Sequence, residues 1–214
     1  MIQPSLQCRR CPRLVSLRES VQARYPRYHA APVRAFGPPD ASLLVVGLAP
    51  GMHGANASGR PFTGDDSGVL LYRTLYDCGF SSAPTSDGSG DGLQLYDCRV
   101  TNAVKCLPPD NKPVAAEVNR CNDYLIDELE RARVVLILGG LAHKAVVRAL
   151  GRRQRDFVFG HDVEHLLGDG RVLIDSYHCS RYNINTRRLT PAMFAAVFRR
   201  ARTRIDSKAC SQTD

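Results

Sequence analysis

The stretch over residues 43–71, LLVVGLAPGMHGANASGRPFTGDDSGVLL, constrains the fold more than any other part of the chain. Leu43, Leu44, Val45 and Val46 form an apolar run that reads as a buried strand, and Gly47 breaks it abruptly. A glycine-rich loop follows, with Pro50, Gly51, Gly54, Gly59, Pro61 and Gly64, and a helical pattern starts near Ser67 with Leu70, Leu71 and Leu75. Strand, loop and helix in that order put the loop at the carboxyl end of a strand. In open α/β sheets ligands bind there, facing backbone N–H groups at a helix N-terminus. The loop is not a phosphate loop, since no Gly-Lys-Ser/Thr closes it, nor a dinucleotide fingerprint with tightly spaced glycines. It offers Phe62, an aromatic stranded among Gly and Pro, with His53, Asn56 and Asp65 as polar neighbours. On composition alone, a plain turn with a core-anchoring phenylalanine explains it equally well.

The same alternation continues downstream. A second strand is strongest over residues 98–104, and Cys106 sits where it ends. Pro108, Pro109 and Pro113 break the chain, after which Val118, Cys121, Leu125, Ile126 and Leu129 recur at helical spacing over residues 114–131. Val134 to Leu138 is a buried strand ending in Gly139-Gly140, and Gly151 closes the next helix. Gly168-Asp169-Gly170 reads as a hairpin turn leading into a last core strand, which ends at a polar loop beginning Tyr177-His178. Thr190-Pro191 starts a final helix with Arg199, Arg200, Arg202 and Arg204 on one face. The pattern predicts a three-layer α/β/α sandwich around a mainly parallel, four-stranded sheet, as one domain over 1–214. Residues 1–40 read as an N-terminal extension packed on it. Residues 81–92, SSAPTSDGSGDG, read as an exposed, mobile connection without chemistry.

No apolar run spans a membrane and no signal-peptide pattern opens the chain, so a soluble, cytoplasmic protein is expected; it is read as a monomer. The formal net charge of +8 is compatible with a polyanionic partner such as nucleic acid. Eight cysteines in a reducing compartment suggest metal ligands or buried thiols rather than disulfides. Cys8 and Cys11 have the two-residue gap that lets both thiolates grip one centre, and Cys106 and Cys121 are single. One close pair plus two single cysteines suits an iron–sulfur cluster at least as well as zinc. Cys106 and Cys121 are alternatively plain core thiols, as Cys78, Cys98 and Cys179 are expected to be.

Three strand ends of one parallel sheet converge on one crevice, which brings Phe62, Asp65, Asn102 and His178 together. An Asn amide both donates and accepts, so Asn102 can read the edge of a base, although most Asn residues at strand ends cap turns. His178 can donate a hydrogen bond to charge developing on a leaving group; a lone His is more often structural.

GLAPG at Gly47 to Gly51, continued by HGAN and SGRPFTGD, then TNAVKC at Thr101 to Cys106 and HCSRYN at His178 to Asn183, closely resemble the family 5 (type b) uracil-DNA glycosylases of bacteria and archaea. The match covers almost the whole chain. The resemblance implies a [4Fe–4S] cluster on Cys8, Cys11, Cys106 and Cys121, and base excision repair that removes uracil from DNA with a range extending to deaminated purines. Gly47 and Gly51 would line the substrate site, Phe62 would stack on the extruded base, Asn102 would read its edge, and His178 would sit beside the leaving carbonyl. Related families carry an acidic or amide residue where Leu48 and Ala49 stand here, so Asp65 is expected to position water or stabilise the sugar cation. Arg181, Arg187 and Arg188 are expected to hold phosphates. Lys105, the only lysine beside a motif, would be the Schiff-base candidate of a bifunctional enzyme; a monofunctional one is expected. The competing reading is a non-catalytic, metal-stapled nucleic-acid-binding module.

Overall fold

The computed structural model describes residues 2–209. Its five strands are β1 (Leu43–Gly47), β2 (Cys98–Asn102), β3 (Val134–Leu138), β4 (Glu164–Leu166) and β5 (Val172–Ser176), in the spatial order β2-β1-β3-β5-β4. The first four in that order are parallel to one another, and β4 runs antiparallel to β5. The four-stranded expectation counted only the core strands. The fifth is the first arm of the hairpin about Gly168 to Gly170, which pairs on the sheet edge.

Alternation along β1 sorts the core into two layers, because successive side chains of a strand point to opposite faces. Leu43 and Val45 pack with Leu71, Leu75, Phe194 and Phe198, from α3 (Asp66–Asp77) and α7 (Pro191–Ala209). Leu44 and Val46 pack on the other face with Leu125, Leu129, Ala142 and Val146, from α4 (Ala115–Arg131) and α5 (Gly140–Ala149). A sheet buried on both faces needs the near-continuous apolar strands found here. Two short helices, α2 (Ala55–Ser58) and α6 (Arg181–Asn185), lie in the loops after β1 and β5. No helix among the described residues is long and apolar enough to cross a membrane.

Residues ahead of β1 pack on the sheet domain through apolar, charge and backbone contacts, with Leu14 in one buried cluster with Val104 and Val21 in another with Leu107. The helix α1 (Pro12–Arg24) places Arg13 against the buried Glu117 carboxylate (2.8 and 2.7 Å), which also accepts the Val114 N–H and so caps α4. Val33 N–H donates to the Lys105 carbonyl at 2.7 Å, and the Tyr28 hydroxyl pairs with His53 Nδ1 at 2.8 Å.

The tract at 81–92 is tied down, contrary to the expectation of a mobile connection. The Asp91 carboxylate takes both Arg60 Nη atoms (2.6 and 3.0 Å) and the N–H groups of Asp87, Gly88 and Leu93. Ser86 joins Arg60 and Thr63 through its hydroxyl.

Candidate active site

The carboxyl ends of β1, β2, β3 and β5 open onto one cavity of about 480 Å³. Its wall includes Leu48, Ala49, Gly51, Phe62, Asp65, Asn102, Gly139, Phe159, Tyr177, His178 and Arg188. The structure thus brings Phe62, Asp65, Asn102 and His178 to one place from two separate loops and a strand end.

Register explains the first contact. Gly47 ends β1 opposite Asn102 of β2, and a β-carbon on Gly47 would lie 2.5 Å from both Asn102 Oδ1 and Phe62 Cζ. Gly47 therefore makes room for two other side chains rather than presenting a group of its own. The Asn102 amide is nearly buried and has no hydrogen-bond partner within the protein among the described residues. Phe62 has φ +53°, the left-handed region that non-glycine residues seldom adopt, and such residues gather where surrounding structure fixes a functional side chain. Tyr72, buried beneath it, donates to the Pro61 carbonyl at 2.8 Å and locks the turn; burial pushes its phenol up to about 12.

Asp65 is the N-cap of α3, with Oδ1 accepting the Gly68 N–H at 3.1 Å. Its Oδ2 faces Gly51 and Gly54, and the carboxylate sits so close to Gly54 that no side chain fits there. The capping bond fixes the carboxylate at the cavity wall. His178 stacks obliquely on Phe62, with ring centroids 6.0 Å apart. Burial holds its imidazole below the ordinary histidine range, and the Asp65 charge opposes this only in part, so the ring is neutral at neutral pH. The Asn183 amide donates to the His178 carbonyl at 2.8 Å and fixes that loop.

Of the expected phosphate ligands, Arg188 reaches the cavity rim and stacks over the Tyr177 ring at 4.5 Å, while Arg181 is paired with Asp66 at 2.6 Å. Arg187 lies in the turn between them, with φ +56°. On the final helix, Arg200 and Arg204 are paired with Asp162 and Glu164, and Arg202 packs over Phe80. Lys105 points away from the cavity: its Nζ is buried between Glu128 (2.8 and 2.9 Å) and the Thr101 hydroxyl (2.6 Å). Sequence reasoning missed Phe159 and Asn111 on the wall. It reads Gly139-Gly140 only as the end of a strand and does not place the pair on the wall, although Gly47 ends a strand in the same way.

Cys8, Cys11, Cys106 and Cys121 line one small cavity together with Arg10, Arg120 and Lys105. Burial raises the Cys11, Cys106 and Cys121 thiols, that of Cys106 to about 12, and the nearby sulfurs add to it. These sulfurs do not close on a single point. Among the described residues, the one group of three metal-capable donors lying within 4.8 Å of one another is His143, His165 and Asp175. Cys98 and Cys179 are core thiols held high by burial, and Cys78 is half-buried.

A parallel sheet that gathers an aromatic, an amide, a carboxylate and a neutral imidazole around one cavity at its carboxyl edge has the form of an enzyme site, and residues 34–202 match the model of the Uracil DNA glycosylase superfamily. The chain is 44% identical to the type-5 uracil-DNA glycosylase of Thermus thermophilus, over 94% of this chain and 95% of that one. It is 44% identical to that of Pyrobaculum aerophilum, over 91% and 87%, and 42% identical to that of Mycobacterium leprae, over 91% and 90%. The chain belongs to the type-5 uracil-DNA glycosylase family.

Proposed function

We propose that this protein removes uracil, and other deaminated bases, from DNA as a monofunctional glycosylase in base excision repair, with the whole chain working as one domain. The observation that carries the reading is the convergence of Phe62, Asp65, Asn102 and His178 on one cavity. A base inside a duplex is out of reach, so it is extruded at a cost of about a few kcal/mol, least at mismatches. The extruded base stacks on Phe62. The Phe62 and His178 rings are too close for a base to slip between them, so the base meets His178 by its edge. The Asn102 amide, unpartnered among the described residues, pairs with the base edge, and neutral His178 donates to the carbonyl oxygen that gains charge as the glycosidic bond breaks. Asp65 stands where it can orient water or stabilise the sugar cation. Leu48 and Ala49 contribute only apolar surface to this wall, which leaves Asp65 as the acidic group.

Lys105 is consumed by its pair with Glu128, which supports hydrolysis without a Schiff base. The four cysteines fit a [4Fe–4S] cluster as a donor set: they are soft thiols around one cavity, among the described residues no three of them lie within 4.8 Å of one another, and bound cationic iron would lower their raised thiols. Bound there, the cluster would staple the first helix to the loop after β2 and to α4. Arg181, Arg187 and Arg188 provide the phosphate contacts.

The test is release of uracil from synthetic duplexes carrying U opposite G or A. Free uracil and an intact abasic strand, with nothing trapped by borohydride, are expected. No release from either duplex by metal-loaded protein would sink the reading and favour the non-catalytic binding module.

A further inference from the structure

Behind the far wall of the cavity lies a buried polar cluster that the proposed reaction does not use. His143 of α5 places Nδ1 2.8 Å from Asp175 Oδ1 and Nε2 2.9 Å from the Phe157 carbonyl. The Phe157 carbonyl can only accept, and Asp175, met by a second ring nitrogen at its other oxygen, is an acceptor in its ionised form. Both hydrogen bonds exist only if both ring nitrogens carry hydrogen. His165 of β4 places Nε2 3.2 Å from the other oxygen of Asp175, where a single N–H suffices. Asp175 and His143 are almost wholly buried, so the carboxylate needs a cation and finds it in the ring.

We infer that His143 is a positioning residue for base excision: held as an imidazolium between Asp175 and the Phe157 carbonyl, it fixes the wall of the cavity and the strand end that carries His178. This rests on the glycosylase reading above. The connections are short. Asp175 lies in β5, which continues directly into Tyr177 and His178, and Gly139 to Ala142, immediately before His143, line the cavity. Phe159, also on the wall, sets its ring against His143 at 5.6 Å and Tyr177 at 6.2 Å. One ring thereby joins α5, β5 and the loop carrying Phe157 and Phe159. The charged and titratable groups facing it are Asp175 and His165, with Lys144 on its own helix; His161 bonds instead to Ser176 and Tyr177 on the strand end. Burial alone would lower His143, but Asp175 and the Phe157 carbonyl outweigh it and raise the ring above the ordinary histidine range. The donor atoms are also close enough to interest a metal ion, yet both His143 nitrogens already lie at hydrogen-bond distance from an acceptor, at 2.8 and 2.9 Å. When His143 loses its proton, one nitrogen confronts an acceptor without a hydrogen between them, and the wall loosens as pH rises.

The experiment combines histidine-nitrogen NMR of the full chain with single-turnover uracil release across mildly acid to alkaline pH. At neutral pH one histidine, absent from His143→Gln, is expected to show two protonated ring nitrogens. His143→Gln, which supplies a donor but cannot titrate, should lower the release rate about tenfold and lose the alkaline limb. His143→Phe should lose more. His165→Phe, which leaves both His143 bonds in place and strips a donor from Asp175, should move the alkaline limb up by roughly half a pH unit. Should His143→Gln not fold, the spectrum and His165→Phe decide. A neutral His143 at neutral pH, an unchanged limb in the folded variants, or stoichiometric zinc binding that depends on His143 would overturn the proposal. A wild-type chain that releases no uracil while His143 is doubly protonated would instead remove the glycosylase reading.

Discussion

His178 shows how far one buried ring can be pushed by its surroundings. Burial lowers it, so the folded protein binds that proton less readily than the unfolded chain does near about pH 6.5. Its contribution to stability is therefore complete above that value and declines as the pH falls below it. Urea unfolding should show a smaller loss of stability on acidification in His178→Gln than in wild type, while the variant loses roughly a hundredfold in uracil release as a donor to the departing base is displaced. A variant with wild-type acid sensitivity and wild-type rate would remove His178 from the site. Gly47 works by steric means alone. Gly47→Ala puts a methyl group 2.5 Å from both Asn102 and Phe62, and one of them must move. Overpacking of this kind costs about 1–3 kcal/mol, read as a lowered Tm, and uracil release should fall further than the stability loss explains.

Asp91 holds its loop by converging donors onto one carboxylate. Arg60 keeps it well below the usual carboxylate range, and the N–H groups of Leu93, Asp87 and Gly88 help against burial. Because the folded value is depressed, this stabilisation is present above the ordinary carboxylate range and is lost only as the pH drops through and beneath it. Asp91→Ala strands a largely buried Arg60 and should cost roughly 2–3 kcal/mol, with new proteolytic cuts between residues 81 and 92; a loop that stays intact would mean Ser86 and Thr63 suffice. Nothing in SSAPTSDGSGDG announced this, since the partner lies on another loop and small polar residues carry no period. The strands were legible for the opposite reason. Val134 to Leu138 and Leu43 to Val46 must be apolar throughout to be covered on both faces, and Gly79 ends α3 in the left-handed conformation that only its missing β-carbon makes easy. Phe62, Asn102 and His178 could be placed because strand ends converge in any parallel sheet. The pairs Lys105 with Glu128 and His143 with Asp175 could not, because register and crossover create them rather than spacing along the chain.

Across the whole molecule, a net charge of +8 says less about DNA than the distribution of arginines does. Arg200 and Arg204 have carboxylate partners on the loop and strand beside the last helix, and their charge is largely spent locally. Arg188 stands on the cavity rim with its guanidinium stacked on Tyr177, and Arg187 precedes it in a turn. A phosphate bound at the cavity mouth would meet these two and release counterions from the DNA. Each such contact contributes about one unit to the slope of log affinity against log salt. Arg187→Ala and Arg188→Ala should each reduce the magnitude of that slope by roughly one, in fluorescence anisotropy on a uracil-containing duplex, whereas the double variant Arg200→Ala/Arg204→Ala should leave it unchanged. Arg181 falls between these cases, since its pairing with Asp66 must open before a phosphate can replace the carboxylate. Asp66→Asn removes that competitor and should tighten binding a few-fold while steepening the salt dependence. Equal slopes for the cavity-rim and last-helix variants would show that total charge, rather than the arrangement around the base pocket, governs how the protein holds DNA.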